Sequence, residues 1–372
     1  MSFKIYSSAI NSGALLPVRI KECLNYVQAE EVCGIVLCGT VEEVEYHQLL
    51  AEIKSTVCNT LGRRIPITLI PQYRLPDGGL SFEIYLLDNS TNIDICEHNG
   101  ICYGLIRSKD ESLLFIEGIP AADFSQTVRR QSQEVFGKLK DILSAHNFAV
   151  DDIVRQWNYI GNVVSYRGSK QNYQEFNDAR TNFYKTGQWI NGYPAATGIG
   201  TSGEGIIVGG IAFKKSGQSN SCIYPIDNPL QVAAHIYSKQ VLIDDNDEAM
   251  KSTPKFERAK LIETERGVCC FISGTAAIRG EESVATSSAR EQTVMTIENI
   301  EHLISVENLT KHGCPPYDLK YIQLQVFIKN SEDFDDVKRI VEGRFPQVSA
   351  TYTIADVCRS ELLVEIEGIL TV

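Results

Sequence analysis

The stretch VCCFISG, residues 268–274, decides the fold of this chain, because a similar stretch, SLLFIEG, occurs earlier at residues 112–118. Each is an apolar run that ends in a small turn residue, which predicts a β-strand. After each, apolar residues recur at intervals of three, four and seven, which predicts an amphipathic helix. These residues are Val128, Val135, Leu139 and Ile142 in the first copy and Val294, Ile297, Ile300 and Ile304 in the second. The pattern indicates an internal repeat.

Each predicted helix leads into a second strand, which is clearest at residues 321–328. There Ile322, Leu324, Val326 and Ile328 alternate with Gln323 and Gln325, so one face of the strand is apolar. A second helix and a last strand follow, at residues 205–211 in the first copy and 362–369 in the second. We predict an α/β (α+β) protein with two such units, each a mixed sheet with helices on one face. The free faces should approach each other, and a site at their seam can be asymmetric.

Composition limits the classes of partner. The chain has 372 residues, of which 43% are hydrophobic and 22% charged, as in a protein with two or three domain-sized units. A net charge of -12 disfavours a broad basic face for nucleic acid, although a few arginines can still bind a small anion. No apolar run approaches the roughly 20 residues that cross a bilayer. The first six residues lack the pattern of a secretory signal, so we expect a cytoplasmic protein without membrane or nucleic-acid partners.

The cysteines indicate core residues rather than a metal site. There are 11, an odd number, and several lie in apolar strand-like runs, as is common for free thiols in a reducing compartment. No Cys-x-x-Cys pair occurs and the six histidines are scattered singly, so no metal is expected.

The domain division follows the repeat. We predict an N-terminal domain over residues 1–220, formed by an α/β extension at 1–110 and a degenerate repeat at about 111–213. Within the extension, residues 31–39 and 80–87 read as strands. The predicted C-terminal domain, residues 221–372, contains a connecting segment at 221–266 and the second repeat, at 267–372, as the catalytic part.

Two levels of family resemblance are visible in the motifs. The stretch FISGTA at 271–276, a helix containing Gln292-Thr293 and Asn299-Ile300, and VEIE at 364–367 resemble the RidA/YjgF fold. From about residue 80 onward the chain is also similar to a narrower group, the chorismatases. The motifs that carry this resemblance, in order, are WNY at 157–159, Tyr173-x-x-Phe176-x-x-x-Arg180, PAATGIG at 194–200, Asn228-Pro229-x-Gln231, Pro254-x-Phe256-x-Arg258-Ala259, SGTA at 273–276 and Glu365. One departure is Glu281, where the resemblance implies histidine.

The resemblance implies a function. Chorismatases release pyruvate from chorismate and leave either 3-hydroxybenzoate or a dihydroxycyclohexadiene carboxylate, without a metal or organic cofactor, in secondary metabolism. Single-repeat relatives are trimers, so a monomer or a homotrimer is expected. Two alternatives stay open: a RidA-type small-metabolite deaminase or hydrolase, and a non-catalytic protein that binds a small ligand. The deaminase class relies on an arginine near Ala350 or Thr351, and no arginine occurs there.

The last strand supplies the candidate acid. Glu365 and Glu367 lie on the same face, opposite the apolar one, and a simple alignment places Val208 and Gly210 at the corresponding positions of the first repeat. Acids in one copy only are expected if that copy became catalytic. Surface carboxylates are the other interpretation of the pattern, and the resemblance favours Glu365 as the catalytic acid. Glu367 is then a like-charge neighbour that can raise its pKa.

Substrate-binding residues are also implied. Arg180 and Arg258 lie within matching motifs, and guanidinium groups suit the two carboxylates of chorismate. Tyr159 and Tyr173 can add hydroxyl donors, with core packing as the alternative interpretation of each. Within PAATGIG, we expect Thr197 and Gly198 to shape a close turn.

Small residues and one cysteine are expected beside the substrate. Gly274 and Ala276 would leave room for its ring, and Ala277 is expected to influence the product. The resemblance implies that a cysteine at position 358 accompanies formation of 3-hydroxybenzoate, because the larger side chain excludes water. This role of Cys358 is steric, and the alternative is a core thiol.

Overall fold

The computed structural model describes residues 3–11, 16–24, 27–41, 45–76, 79–87, 91–238, 252–284 and 286–372. These residues form three units that follow one another along the chain. No helix in these ranges is long and apolar enough to cross a membrane.

The first unit contains four strands and two helices. They are β1 (Phe3–Asn11), α1 (Leu16–Leu24), β2 (Val32–Gly39), α2 (Tyr46–Leu61), β3 (Ile67–Pro71) and β4 (Gly79–Leu87). The middle unit has a six-stranded sheet, one short hairpin and two helices. They are β5 (Asp94–His98), β6 (Ile101–Arg107), β7 (Glu111–Pro120), α3 (Val128–Ala145), β8 (Ile153–Gly161), β9 (Tyr166–Arg167), β10 (Lys170–Gln171), α4 (Asn172–Tyr184), β11 (Ala195–Thr201) and β12 (Ile206–Lys215).

The last unit has the same architecture with one additional helix. Its elements are β13 (Cys222–Ile226), β14 (Ala259–Thr264), β15 (Gly267–Ala276), β16 (Ile278–Arg279), β17 (Glu282–Ser283), α5 (Ala289–Leu303), α6 (Val306–Lys311), β18 (Lys320–Ile328), α7 (Phe334–Arg344), β19 (Ala350–Ile354) and β20 (Val364–Thr371).

The strand orders establish the repeat. The middle sheet has the order β5-β6-β7-β12-β8-β11 and the last sheet the order β13-β14-β15-β20-β18-β19, with the parallel pair at the same edge in each. The predicted mixed sheets are therefore confirmed. The first sheet, β1-β4-β2-β3, has the same order without the two outermost strands. The region expected to be an extension thus contains a third, shorter copy of the unit.

The helices cover the outer faces of the sheets, and the inner faces meet. Helices pack in pairs on each unit, α1 with α2, α3 with α4, and α5 with α7. A shared apolar core is formed by inner-face residues of all three sheets, among them Tyr85, Phe115, Phe213, Phe271 and Ile369. The units contact each other in a cyclic order: β3 packs on β7, β11 on β15, and β19 on β1. The prediction that the free faces approach each other is confirmed.

The two stretches that define the repeat make the same contact at successive interfaces. The backbone N–H of Gly118 donates to the Thr68 hydroxyl at 2.7 Å, and that of Gly274 donates to the Thr197 hydroxyl at 3.1 Å. The alignment of 112–118 with 268–274 is therefore correct residue by residue.

The alignment of the last strands needs a correction of one position. Glu365 pairs with Phe327 on β18, and the residue with the corresponding pairing in the middle unit is Ile207, not Val208. Val208 packs in the core on the helix side, as Ile366 does in the last unit. A shift of one residue in a strand moves every side chain to the opposite face of the sheet. Because β12 has apolar residues on both faces, its sequence does not indicate which alignment is correct. By the same count Gly209 takes the place of Glu367.

Candidate active site

A cavity of about 370 Å³ lies at the interface between the middle and last units. Its walls come from α4 and β11 of the middle unit and from β15, β20 and the segment before β20 of the last unit. It brings together most of the residues predicted from the sequence, namely Tyr173, Arg180, Arg258, Gly274, Ala276, Cys358 and Glu365.

Three predicted residues do not line this cavity. Tyr159 is buried where β8 faces the first unit, beside a much smaller void of about 20 Å³, and therefore packs in the core. Ala277 is fully buried behind the cavity wall. Glu367 lies deeper than Glu365, between the two units. The prediction of direct substrate contact for Tyr159 is corrected on this geometry.

Glu365 is a buried carboxyl group that opens onto the cavity. It is 5% exposed, and within the described residues its carboxyl group makes no hydrogen bond. Burial, followed by the charge of Glu367, raises its pKa to about 8, against the opposing effects of Arg155 and Arg258. At neutral pH the group therefore holds a proton that it can donate.

Gly274 creates the space that this carboxyl group occupies. A Cβ atom at position 274 would overlap a carboxyl oxygen of Glu365 and would lie 2.8 Å from its Cδ atom. At the equivalent position in the middle unit, a Cβ atom on Gly118 would instead meet Ile207 at 2.8 Å. The equivalent space at that interface is thus filled by an aliphatic side chain, and the acid is found at one interface.

Two buried arginines reach the cavity without a carboxylate partner. Arg180 and Arg258 are each 2% exposed. Arg180 donates to the Asn177 side chain at 2.6 Å, and Arg258 to the Val232 carbonyl at 2.8 Å and the Tyr237 hydroxyl at 2.6 Å. Within the described part of the chain neither forms an ion pair, and the Nε of each lacks a hydrogen-bond partner. Uncompensated buried cations are costly, so this arrangement suits an anionic ligand.

Cys358 forms part of the wall beside Glu365. Burial, together with the nearby Glu365, raises the pKa of its thiol to about 12. The group stays a thiol at neutral pH, which argues against a nucleophilic role and leaves its volume as the relevant property.

Arg359 and Tyr237 are among the cavity residues that the sequence analysis missed. Arg359 donates to the Glu281 carbonyl at 3.0 Å and to the Ser283 hydroxyl at 3.1 Å. The ring of Tyr237 lies 5.7 Å from the Arg258 guanidinium and 5.5 Å from that of Arg359. Tyr237 is outside every motif used above, whereas Arg359, next to Cys358, could have been flagged by its position.

Two other expectations change in detail. Thr197 and Gly198 lie within β11 and not in a turn, and the Thr197 hydroxyl faces the neighbouring unit. The carboxylate of Glu281 accepts a hydrogen bond from the backbone N–H of Ser238 at 2.7 Å, away from the cavity wall. Within the described ranges no group of three or more His, Cys, Asp or Glu residues is placed to hold a metal ion.

Comparisons with known proteins show relatives in both fold and sequence. A crystal structure of a chorismatase superposes with a TM-score of 0.70 at 21% identity, covering 100% of this chain and 99% of that one, so the two share a fold. Residues 89–212 match the family model "Chorismatase FkbO/Hyg5-like, N-terminal". A 3-hydroxybenzoate synthase of Streptomyces hygroscopicus is 30% identical over 285 residues, 74% of this chain and 77% of that protein. A chorismatase of the same organism is 29% identical over 223 residues, 59% of this chain and 61% of that protein.

The chain thus has the fold of a chorismatase crystal structure. The match to the Streptomyces hygroscopicus synthase, in its length and sequence identity, also shows the family. The chain belongs to the FkbO/Hyg5-like chorismatase family.

Proposed function

We propose that this protein converts chorismate with release of pyruvate and that Glu365 is the proton donor. The observation that carries the proposal is the cavity itself, in which a carboxyl group with a pKa of about 8 faces the same space as two buried arginines without ion-pair partners. The names of the relatives, a chorismatase and a 3-hydroxybenzoate synthase, support the same substrate.

The two arginines fit the charges of the substrate. Chorismate carries one carboxylate on its ring and another on its enolpyruvyl group, and each can accept a pair of hydrogen bonds from a guanidinium group. Binding would supply the negative charge that Arg180 and Arg258 lack among the described residues. The substrate would therefore remove an electrostatic cost, and its ring could lie beside Gly274 and Ala276.

The chemistry begins with proton transfer to carbon. Glu365 donates its proton to the terminal methylene of the enolpyruvyl ether, which becomes a methyl group and leaves an oxocarbenium ion. The raised pKa of Glu365 makes this possible at neutral pH, because an ordinary glutamate would already be ionised. No step requires a metal ion or an organic cofactor.

The fate of the cation determines the product. Capture by water gives a hemiketal that collapses to pyruvate and the dihydroxycyclohexadiene carboxylate. Capture by the neighbouring ring hydroxyl gives a cyclic ketal. The bond between the ring and that former hydroxyl oxygen then breaks, and the adjacent ring carbon loses its proton, which produces an aryl hemiketal. The hemiketal releases pyruvate and 3-hydroxybenzoate. This second route consumes no water. We propose that it dominates, because Cys358 occupies space beside Glu365 that a water molecule would need.

The test is direct. The purified protein is incubated with chorismate, pyruvate is measured with lactate dehydrogenase, and the ring product is identified by chromatography. Pyruvate with 3-hydroxybenzoate is the expected result. Absence of pyruvate would overturn the proposed activity, and the non-aromatic diol as main product would overturn the proposed role of Cys358.

We further propose that a single chain is sufficient for activity. Both units that form the cavity belong to one chain, and the three inner sheet faces already cover each other within it. A monomer in size-exclusion chromatography with light scattering, active at the same concentration, is the expected result. Activity confined to an oligomeric fraction would contradict it.

A further inference from the structure

A buried ion pair lies next to the cavity and joins the two units that form it. Arg155 on β8 donates to one oxygen of Glu367 at 2.6 Å, and the Trp157 indole N–H donates to the other at 2.8 Å. Arg155 and Glu367 are 1% and 3% exposed. Burying two charges costs free energy, so a buried ion pair is weak evidence of a stabilising role. The location of this pair beside the cavity is therefore more informative.

The Thr197 hydroxyl connects this ion pair to the proton donor. It donates to the Glu367 carboxylate and accepts from Arg155 at 2.8 Å and from the Gly274 backbone N–H at 3.1 Å. The Glu365 carboxyl group lies where a side chain on Gly274 would be. The Thr197 hydroxyl therefore contacts both the Glu367 carboxylate, which lies next to Glu365, and the Gly274 backbone, against which the Glu365 side chain packs.

The interface between the last and first units has a version of this arrangement without the arginine. There Glu83 accepts from the Gln323 amide at 2.8 Å and from the Thr351 hydroxyl at 2.7 Å. By strand position Gln323 corresponds to Arg155, and Ser81 corresponds to Glu365. A glutamine therefore takes the place of the arginine as hydrogen-bond donor at this interface.

The interface between the first and middle units retains only the threonine. Thr68 accepts from the Gly118 backbone N–H, but Gly209 occupies the position of Glu367. Across the three interfaces of the described residues, the arginine occurs only beside Glu365, whereas a glutamate in the position of Glu367 also occurs, as Glu83, beside Ser81. This distribution links the arginine to the acid rather than to assembly of the units.

We propose that Arg155 and Thr197 are positioning residues for proton transfer: they hold the Glu367 carboxylate beside Glu365 and fix the Gly274 backbone under the Glu365 carboxyl group. The inference rests on the proposed function. Without Arg155, Glu367 would be a buried carboxylate that has lost its counter-ion, which costs free energy. After burial, the charge of Glu367 is the next contribution that raises the pKa of Glu365.

Several charged or titratable groups surround Glu365 and must be considered when its pKa is interpreted. They are Glu367 on the same strand, Arg155 on β8, Tyr173 and Arg180 on α4, Arg258 before β14, and Cys358, Arg359 and Glu361 before β20. Glu367 raises the pKa of Glu365 more than Arg155 lowers it. Removing both charges together should therefore lower the pKa of Glu365.

The first experiment needs no substrate. The double variant Arg155→Gln/Glu367→Gln removes the ion pair without leaving one charge buried alone, and infrared titration follows the protonated Glu365 carboxyl band, assigned by its loss in Glu365→Gln. We expect the titration midpoint to fall below that of the parent protein. A midpoint equal to that of the parent protein would overturn the inference, whether or not chorismate is the substrate.

The second experiment separates positioning from cavity shape. Thr197→Val keeps the volume and removes the hydroxyl, whereas Thr197→Ser keeps the hydroxyl. We expect Thr197→Val to lower kcat for pyruvate release about tenfold with little change in KM, and Thr197→Ser to stay near the parent. Equal kcat values for the two variants, or a loss confined to KM, would contradict the role of the hydroxyl. Thermal unfolding verifies that both variants are folded, and a parent protein without pyruvate release would refute the proposed function instead.

Discussion

Substitution of Gly274 by alanine tests whether the location of the Glu365 carboxyl group matters for catalysis. The new Cβ atom would lie 2.8 Å from the Glu365 Cδ atom and would overlap one carboxyl oxygen, whereas ordinary contacts begin near 3.4 Å. The carboxyl group must therefore move by about 1 Å or more. A displacement of that size in a reacting group costs about 10²-fold in rate, so we expect kcat for pyruvate release to fall by about that factor.

The chain offers a matched control in Gly118. A Cβ atom there would meet Thr68 at 2.6 Å and Ile207 at 2.8 Å, in the same structural position but away from any acid of the site. Overpacking should cost each variant about 1–3 kcal/mol of unfolding free energy, measured by denaturant titration. Only Gly274→Ala should lose activity in the folded state. Parent-like kcat in Gly274→Ala, or an equal loss in Gly118→Ala, would refute the reasoning.

Three further predictions concern the same cavity. Turnover should fall as pH rises through about 8, because Glu365 loses the proton it must donate, and a flat pH–rate profile from pH 6 to 10 would contradict this. Arg258→Ala should raise KM for chorismate by about tenfold or more through loss of a charge-assisted hydrogen bond, while Arg129→Ala at an exposed site should not. Cys358→Ala should shift the product toward the non-aromatic diol with total pyruvate within severalfold, since about 1.4 kcal/mol between competing barriers changes a ratio tenfold; an unchanged ratio on chromatography would exclude control by this side chain.

Strand and helix periodicity was sufficient to predict the repeated unit. The two stretches at 112–118 and 268–274 make equivalent contacts with Thr68 and Thr197, as their alignment requires. The third copy was not predicted, because its sheet lacks the two outermost strands and no stretch within it resembles the other two. The strand order reveals this third copy, whereas its sequence does not.

Motifs in the sequence indicated several residues that the structure places in one cavity, but the sequence could not indicate the orientation of every side chain. Arg180, Arg258 and Glu365 meet in one cavity although they are distant in sequence. Tyr159 belongs to β8, which is buried on both faces, so alternation could not indicate which way it points. Tyr237 enters the cavity from a loop whose path no local pattern specifies.

The central claim is that Glu365 supplies the proton, and Glu361 provides the control that tests it most directly. Glu361 lines the same cavity, and although burial opposes it, hydrogen bonds from Ser283 and the backbone lower its pKa, so it is ionised at neutral pH and has no proton to give. The measurement is the rate of pyruvate release from chorismate at pH 7 by Glu365→Gln and Glu361→Gln. The account predicts a loss of about 10² or more for Glu365→Gln and a change within severalfold for Glu361→Gln. Parent-like turnover by Glu365→Gln would contradict it and place the proton donor elsewhere.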